Sequence, residues 1–123
     1  MNLTTMGKKS MKAAAKNDTR LGFASVPLAV RSVRTDAEHR AGAGEYIRIR
    51  GHDLAFKAED SSCGVFFVDG SAARSPDYEF VSENLVVARV PEGLSAGPYL
   101  LRLRRSGDGG YRELGSESVF IVE

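Results

Sequence analysis

The pattern of apolar and polar residues is clearest in two segments in the second half of the chain. Residues 85–90 and 99–104 both alternate with a period of two, which predicts a β-strand in each. Their predicted inward positions are apolar, and they are Val86, Ala88, Val90, Tyr99, Leu101 and Leu103. The connection over residues 91–98 contains two glycines and two prolines, so it is too long and too rich in strand breakers for a tight hairpin. This arrangement is typical of a chain that crosses from one sheet of a β-sandwich to the other.

Tyr99 opens the second of these strands, directly after the predicted crossing. A tyrosine in this position can pack its ring in the core while its hydroxyl bonds back to a nearby backbone carbonyl, an arrangement called the tyrosine corner. We expect Tyr99 to adopt it.

Five other segments have strand character, and they span residues 21–33, 45–51, 64–69, 78–81 and 118–123. Pro27 interrupts the first of them, which predicts an edge strand or a bent one. The segment 64–69 is apolar on both faces, as a central strand is. Seven short strands in roughly 100 residues, with no long helix outside the N-terminus, predict an all-β fold: an immunoglobulin-like antiparallel β-sandwich of about seven strands.

The positive charge is concentrated at the N-terminus. Residues 1–20 carry five of the seventeen basic residues and one of the sixteen acidic residues, although the net charge of the whole chain is only +1. This stretch has no aromatic residue, so we predict a disordered basic arm over residues 1–20 and a sandwich domain over residues 21–123. The candidate nucleic-acid contacts, which would be weak and non-specific, are Lys8, Lys9, Lys12, Lys16 and Arg20.

Composition also bounds the cellular context. The single cysteine, Cys63, cannot form an intramolecular disulfide, which suits a reducing cytoplasm. The N-terminus lacks the apolar run of a signal peptide, and no segment approaches the length needed to span a membrane. We therefore expect a cytoplasmic protein without a membrane partner.

The chain contains reactive groups but no arrangement of them that is typical of an active site. His39 and His52 lie in turn-like segments without metal-ligand spacing, so we expect surface histidines. Cys63 precedes an apolar strand and is expected to be a structural thiol rather than a nucleophile. Three loop carboxylates do not match the spacing of a calcium loop, and they are Asp53, Glu59 and Asp60. We predict no catalytic, cofactor-binding or metal site, no small-molecule substrate and no enzyme.

Arginines occupy alternate strand positions opposite the predicted core faces. If the strands beginning near residues 45 and 85 are sheet neighbours, one outer face carries Arg48, Arg50, Leu85, Val87 and Arg89. Arg102 and Arg104 then lie on the other sheet. The arginines can be ordinary solvated residues that pair with Glu45, Glu113 or Glu117, or they can form a contact surface for an acidic partner.

From residue 30 to the end, the chain resembles a bacterial domain family of unknown function with an immunoglobulin-like fold. The residues that carry the resemblance are Gly44, Tyr46, Ile47, Ile49, Gly51, Asp53, Leu54, Gly64, Val65, Phe67, Val68, Asn84, Leu85, Val87, Val90, Pro91, Leu94, Ala96, Gly97, Tyr99, Leu101 and Leu103. A wider similarity to immunoglobulin-like domains of the transcription-factor (TIG) type rests on the Gly51 turn and the Val90-Pro91 step. In many members of the family the domain follows a histone-like DNA-binding domain, for which residues 1–20 are far too short.

These observations favour a non-enzymatic interaction module that binds a protein partner or a second copy of itself. The alternative is an accessory domain of a DNA-associated protein, which binds nucleic acid weakly through the basic arm.

Overall fold

The computed structural model describes residues 20–107 and 109–123, and this part of the chain contains eleven β-strands. The strands are β1 (Arg20–Val26), β2 (Ala29–Ser32), β3 (Arg40–Ala41), β4 (Tyr46–Arg50), β5 (Gly64–Val68), β6 (Ala72–Arg74), β7 (Tyr78–Val81), β8 (Leu85–Arg89), β9 (Gly97–Gly107), β10 (Gly110–Ser116) and β11 (Phe120–Val122). The lysines of the predicted arm lie outside the described residues. Arg20, which we assigned to the arm, is the first residue of β1.

The strands form two sheets. The larger sheet has seven strands: β1, β10, β9, β11 and β3 follow one another, β5 also pairs with β9, and β6 pairs with β5. The smaller sheet has the order β2-β4-β8-β7. The predicted immunoglobulin-like sandwich is therefore confirmed.

The structure has more strands than the sequence pattern predicted, and two of its pairings are parallel. The strand β10 was not predicted, and β3 and β6 are only two and three residues long. The pairs β1–β10 and β11–β3 are parallel, whereas the other named pairs are antiparallel. The sandwich is thus mainly, but not entirely, antiparallel.

Pro27 separates two strands that belong to different sheets. β1 pairs with β10 in the larger sheet, and β2 pairs with β4 in the smaller one. A proline has no backbone N–H to donate to a ladder, so it suits the point at which the chain leaves one sheet. The segment was predicted to be one strand, either at an edge or bent; it is in fact two strands, each at the edge of its sheet.

The core lies between the two sheets and contains all six inward residues predicted for β8 and β9. Val86, Ala88 and Val90 are fully buried, and Leu101 and Leu103 are nearly so. On the inner side of the larger sheet, beside Tyr99 and Leu101, the rings of Phe67 and Phe120 pack edge to face with centroids 5.5 Å apart.

The tyrosine corner is present as predicted. The Tyr99 ring is buried, and its hydroxyl donates a hydrogen bond of 2.8 Å to the carbonyl of Ser95. This bond ties the start of β9 to the connection that crosses from β8 in the smaller sheet.

Candidate interaction surfaces

The five residues predicted to form an interaction face lie on the outer side of the four-stranded sheet. In the β4–β8 pair, Arg48 is opposite Val87, Arg50 is opposite Leu85, and Tyr46 is opposite Arg89. Residues directly opposite in an antiparallel pair point to the same side of the sheet. We call the surface formed by Arg48, Arg50, Leu85, Val87 and Arg89 the small-sheet face.

The apolar part of the small-sheet face differs from the expectation. Val87 is only 9% exposed, and its cross-strand partners are Arg48 on one side and Phe80 on the other. Phe80 is 51% exposed, so it is a large apolar side chain that this surface presents to solvent. The sequence pattern missed Phe80 because the β7–β8 register shifts between Tyr78 and Phe80, which breaks the simple alternation.

Acidic residues neutralise two of the three arginines of this face. Arg48 Nη2 lies 2.7 Å from Asp36 Oδ1, and Arg89 Nη2 lies 2.6 Å from Glu92 Oε2. Arg50 is exposed and has no ion-pair partner among the described residues. Arg50 is therefore the cation of the small-sheet face that is free to pair with an incoming acidic group.

Glu45 and Tyr46 form part of the polar rim of this sheet. Glu45 accepts hydrogen bonds from the backbone N–H of Gly42 and from Arg34, and these bonds lower the pKa of its carboxyl group. The Tyr46 hydroxyl donates to Asp77, and this bond raises the pKa of the tyrosine. Glu45, one of the expected acidic partners of the strand arginines, pairs instead with Arg34 in a loop.

The outer face of the larger sheet carries a different arrangement of arginines. Glu113 on β10 is only 5% exposed, and it pairs with Arg104 on β9 at 2.8 Å and with Arg20 on β1 at 3.1 Å. Glu113 was one of three acidic residues considered as partners of the strand arginines, and it pairs with Arg104. Arg102, two residues along β9, has no carboxylate partner among the described residues.

Three aromatic rings hold the guanidinium groups of these arginines. The Arg104 guanidinium lies 4.3 Å from the centroid of the Phe66 ring and 4.7 Å from that of Tyr111. The guanidinium groups of Arg102 and Arg20 both lie over Phe23, at 4.8 and 5.1 Å. We call this group the arginine–aromatic cluster, and its members are Arg20, Phe23, Phe66, Arg102, Arg104, Tyr111 and Glu113.

Arg102 and Arg104 were predicted to lie on the outer face of the second sheet, and they do, but the rings beside them were not predicted. β10 brings Tyr111 and Glu113 between β1 and β9, and this strand was not predicted. Residues 110–116 show no alternation of apolar and polar residues with a period of two, so the sequence pattern carries no signal for this strand.

Cys63 is the one thiol of the chain, and it is completely buried. Burial raises the pKa of this thiol above the ordinary value of 9.0, so the reactive thiolate is disfavoured. Within residues 20–107 and 109–123, no group of three or more His, Cys, Asp or Glu side chains is arranged to hold a metal ion. That part of the chain also has no helix long and apolar enough to cross a membrane.

Together, the two-sheet topology, the tyrosine corner and the exposed sheet faces define an immunoglobulin-like β-sandwich domain. The chain belongs to the family described as "Domain of unknown function (DUF4469) with IG-like fold", whose model matches residues 29–116. No curated protein matches the chain.

A solved structure shares this fold. It is a protein of Bacteroides vulgatus ATCC 8482 described as "a Putative bacterial DNA binding protein", with a TM-score of 0.65 and 19% sequence identity over 85% of the present chain. The matched region is 48% of that protein, so the present chain spans about half of its length. At this level of identity the similarity establishes the fold alone.

Proposed function

We propose that the chain is a non-enzymatic interaction module that binds a protein partner, or a second copy of itself, through the small-sheet face. The observation that carries this proposal is that one outer sheet surface presents both the half-exposed ring of Phe80 and Arg50, which has no ion-pair partner among the described residues. Aromatic and arginine side chains are enriched at the centres of protein interfaces. A cytoplasmic location is part of the proposal, because the free thiol of Cys63 suits a reducing compartment.

Self-association is tested by sedimentation velocity of the full chain over a range of concentrations. If two copies meet through the small-sheet face, Phe80→Ser should weaken the association by at least about fivefold. Phe23→Ser is the matched control, because Phe23 is 43% exposed on the other sheet. A dimer that survives Phe80→Ser but not Phe23→Ser would contradict the assignment of the face.

A separate protein partner is tested by selecting binders from a displayed peptide library. We expect sequences that combine acidic with apolar residues, because Arg50 and Phe80 offer one cation and one apolar ring. Binding of those peptides should be lost with Arg50→Glu and kept with Arg112→Glu, an exposed arginine on β10. A chain that neither self-associates nor selects peptides sensitive to Arg50→Glu would refute the proposal.

The second candidate function is that of an accessory domain in a DNA-associated protein. It is supported by the description of the structurally similar Bacteroides vulgatus protein, about half of which lies outside the matched region. Residues 1–19 supply Lys8, Lys9, Lys12 and Lys16 as phosphate contacts. Four such contacts limit the log–log salt dependence of duplex binding to a slope of about −3.6.

This candidate is tested by titrating labelled duplex DNA with the full chain and with a version that starts at Arg20. Starting at Arg20 keeps the ion pair of Arg20 with Glu113 and removes only the four lysines and their neighbours. Weaker binding and a shallower salt slope for the shortened version would support the arm as the contact. Equal binding by both versions would eliminate it.

A further inference from the structure

We propose that the arginine–aromatic cluster is a binding surface for single-stranded nucleic acid. In this assignment the guanidinium groups of Arg20, Arg102 and Arg104 contact phosphates, and Phe23 offers a stacking surface to a base. The cluster lies on the larger sheet, so this proposal is independent of the function proposed for the small-sheet face.

The charge of the cluster is the first reason. The cluster contains three arginines and one carboxylate, Glu113, which Arg20 and Arg104 share. Arg102 has no acidic partner in the described part of the chain. The cluster therefore keeps an excess of positive charge on the outer surface of the sheet, which complements an anionic ligand. On the small-sheet face, by contrast, separate loop carboxylates pair with Arg48 and Arg89.

The rings hold the arginines in fixed positions before any ligand arrives. Each of the three guanidinium groups lies within 5.1 Å of a ring centroid, the range of a cation–π contact. A positioned guanidinium loses less rotamer freedom when it binds, and its planar fork of donors matches a phosphate group. The arrangement therefore suits phosphate oxygens better than a set of mobile lysines would.

The surface is also partly aromatic, and one of its rings is exposed. Phe23 lies on β1 opposite Glu113, and 43% of its surface is open to solvent. Gly115 on β10 leaves room for this ring, because a Cβ atom at that position would lie 2.8 Å from Phe23 and would also collide with Arg102. The guanidinium groups of Arg20 and Arg102 lie over this partly exposed ring, and unpaired bases stack both on exposed aromatic rings and on guanidinium planes. Bases in a duplex are already stacked, so the single strand is the form that this surface fits.

The basic stretch of the sequence joins the domain at this same face. Residues 1–19 carry four lysines and one aspartate, and they lead directly into Arg20. Their charge adds to the attraction for a polyanion without being part of the surface proposed here.

The test measures binding of a labelled oligothymidine of about 15 nucleotides to the full chain at low salt by fluorescence anisotropy. Arg102→Gln should weaken binding at least about fivefold and make the log–log salt slope shallower by about 0.7, the share of one phosphate contact on a single strand. Phe23→Leu should also weaken it at least about fivefold, through lost stacking. Arg50→Gln, which removes the same charge from the other sheet, should change binding by less than about twofold.

Several results would overturn the proposal: no binding by the wild-type chain, an equal loss with Arg50→Gln, equally tight binding of a duplex of the same length, or equal competition by an acidic peptide. Thermal melting of each variant shows whether it is folded. If Arg102→Gln fails to fold, NMR titration of the unaltered chain replaces it. Oligothymidine should then shift the Arg102 and Arg104 side-chain Nε–H resonances, and a shift confined to Arg50 would equally refute the surface.

Discussion

The hydroxyl of Tyr99 provides the most direct test of how the chain crosses between its sheets. Tyr99→Phe removes only the 2.8 Å hydrogen bond to the Ser95 carbonyl and leaves the buried ring in place. Ser95 is exposed, so water can replace the lost donor at its carbonyl. The cost should therefore be the net value of a hydrogen bond, about 0.5–1.5 kcal/mol, without the larger penalty for an unsatisfied buried group.

Urea denaturation followed by circular dichroism measures this difference. With a denaturant dependence of about 1–3 kcal/mol per M, the midpoint should fall by about 0.2–1.5 M. Tyr111→Phe is the matched control, because the Tyr111 hydroxyl has no hydrogen-bond partner among the described residues and its loss should cost less than about 0.5 kcal/mol. Equal midpoints for wild type and Tyr99→Phe would refute the corner, as would a larger effect of Tyr111→Phe.

Two further predictions concern the core. Val90→Ala should lower the free energy of unfolding by about 1–3 kcal/mol, because Val90 is fully buried. Arg89→Ala should cost only about 0.5–1.5 kcal/mol, because it removes the hydrogen bond from Arg89 Nε to the Gly44 carbonyl. If urea denaturation gave a larger loss for Arg89→Ala than for Val90→Ala, the predicted register would be contradicted. The raised pKa of Cys63 should make the free energy of unfolding fall as the pH rises past 9.0, because the thiol of the unfolded chain ionises first. Between pH 8 and about 10, the wild type should therefore lose more stability than Cys63→Ala if burial of the thiol is the cause.

The inner residues of β8 and β9 were predictable because one side of each strand is buried. A shift of one residue would place Val86 and Val90 in solvent and Arg89 in the core, so the alternation of side chains determines the register. The tyrosine corner was predictable for a similar reason, since it depends on one residue and its immediate neighbours in sequence. Local patterns of this kind need no knowledge of which strands pair.

The strand β10 was missed because its pattern depends on residues far away in sequence. Its outward residue Glu113 is buried although it is charged, because Arg20 and Arg104 donate hydrogen bonds to its two carboxylate oxygens. These two arginines lie 93 and 9 positions away in the sequence. In a pattern of apolar and polar residues, a glutamate such as Glu113 predicts a solvent-exposed position. Only the pairing of β10 with β1 and β9 shows otherwise.

The same distinction separates the two candidate surfaces. The small-sheet face was predictable from the alternation of Arg48 and Arg50 and from the pairing of adjacent strands. The arginine–aromatic cluster was not, because Tyr111 reaches Arg104 only through the pairing of β10 with β9, and Phe23 reaches Arg102 only through the further pairing of β1 with β10.

The contacts of the arginines, rather than their number, distinguish the partners that the two faces suit. On the small-sheet face, Asp36 and Glu92 already neutralise Arg48 and Arg89. Arg50 and the ring of Phe80 are then the groups left to contact a partner, and a combination of one cation and one apolar ring suits a protein surface. On the larger sheet, rings orient the arginines and one buried carboxylate is shared, which leaves their charge for a polyanion. The core separates the two outer faces, so occupation of one need not block the other. The effects of Phe80→Ser and Arg102→Gln on their respective ligands should therefore be independent, and any coupling between them would show that the faces share a partner.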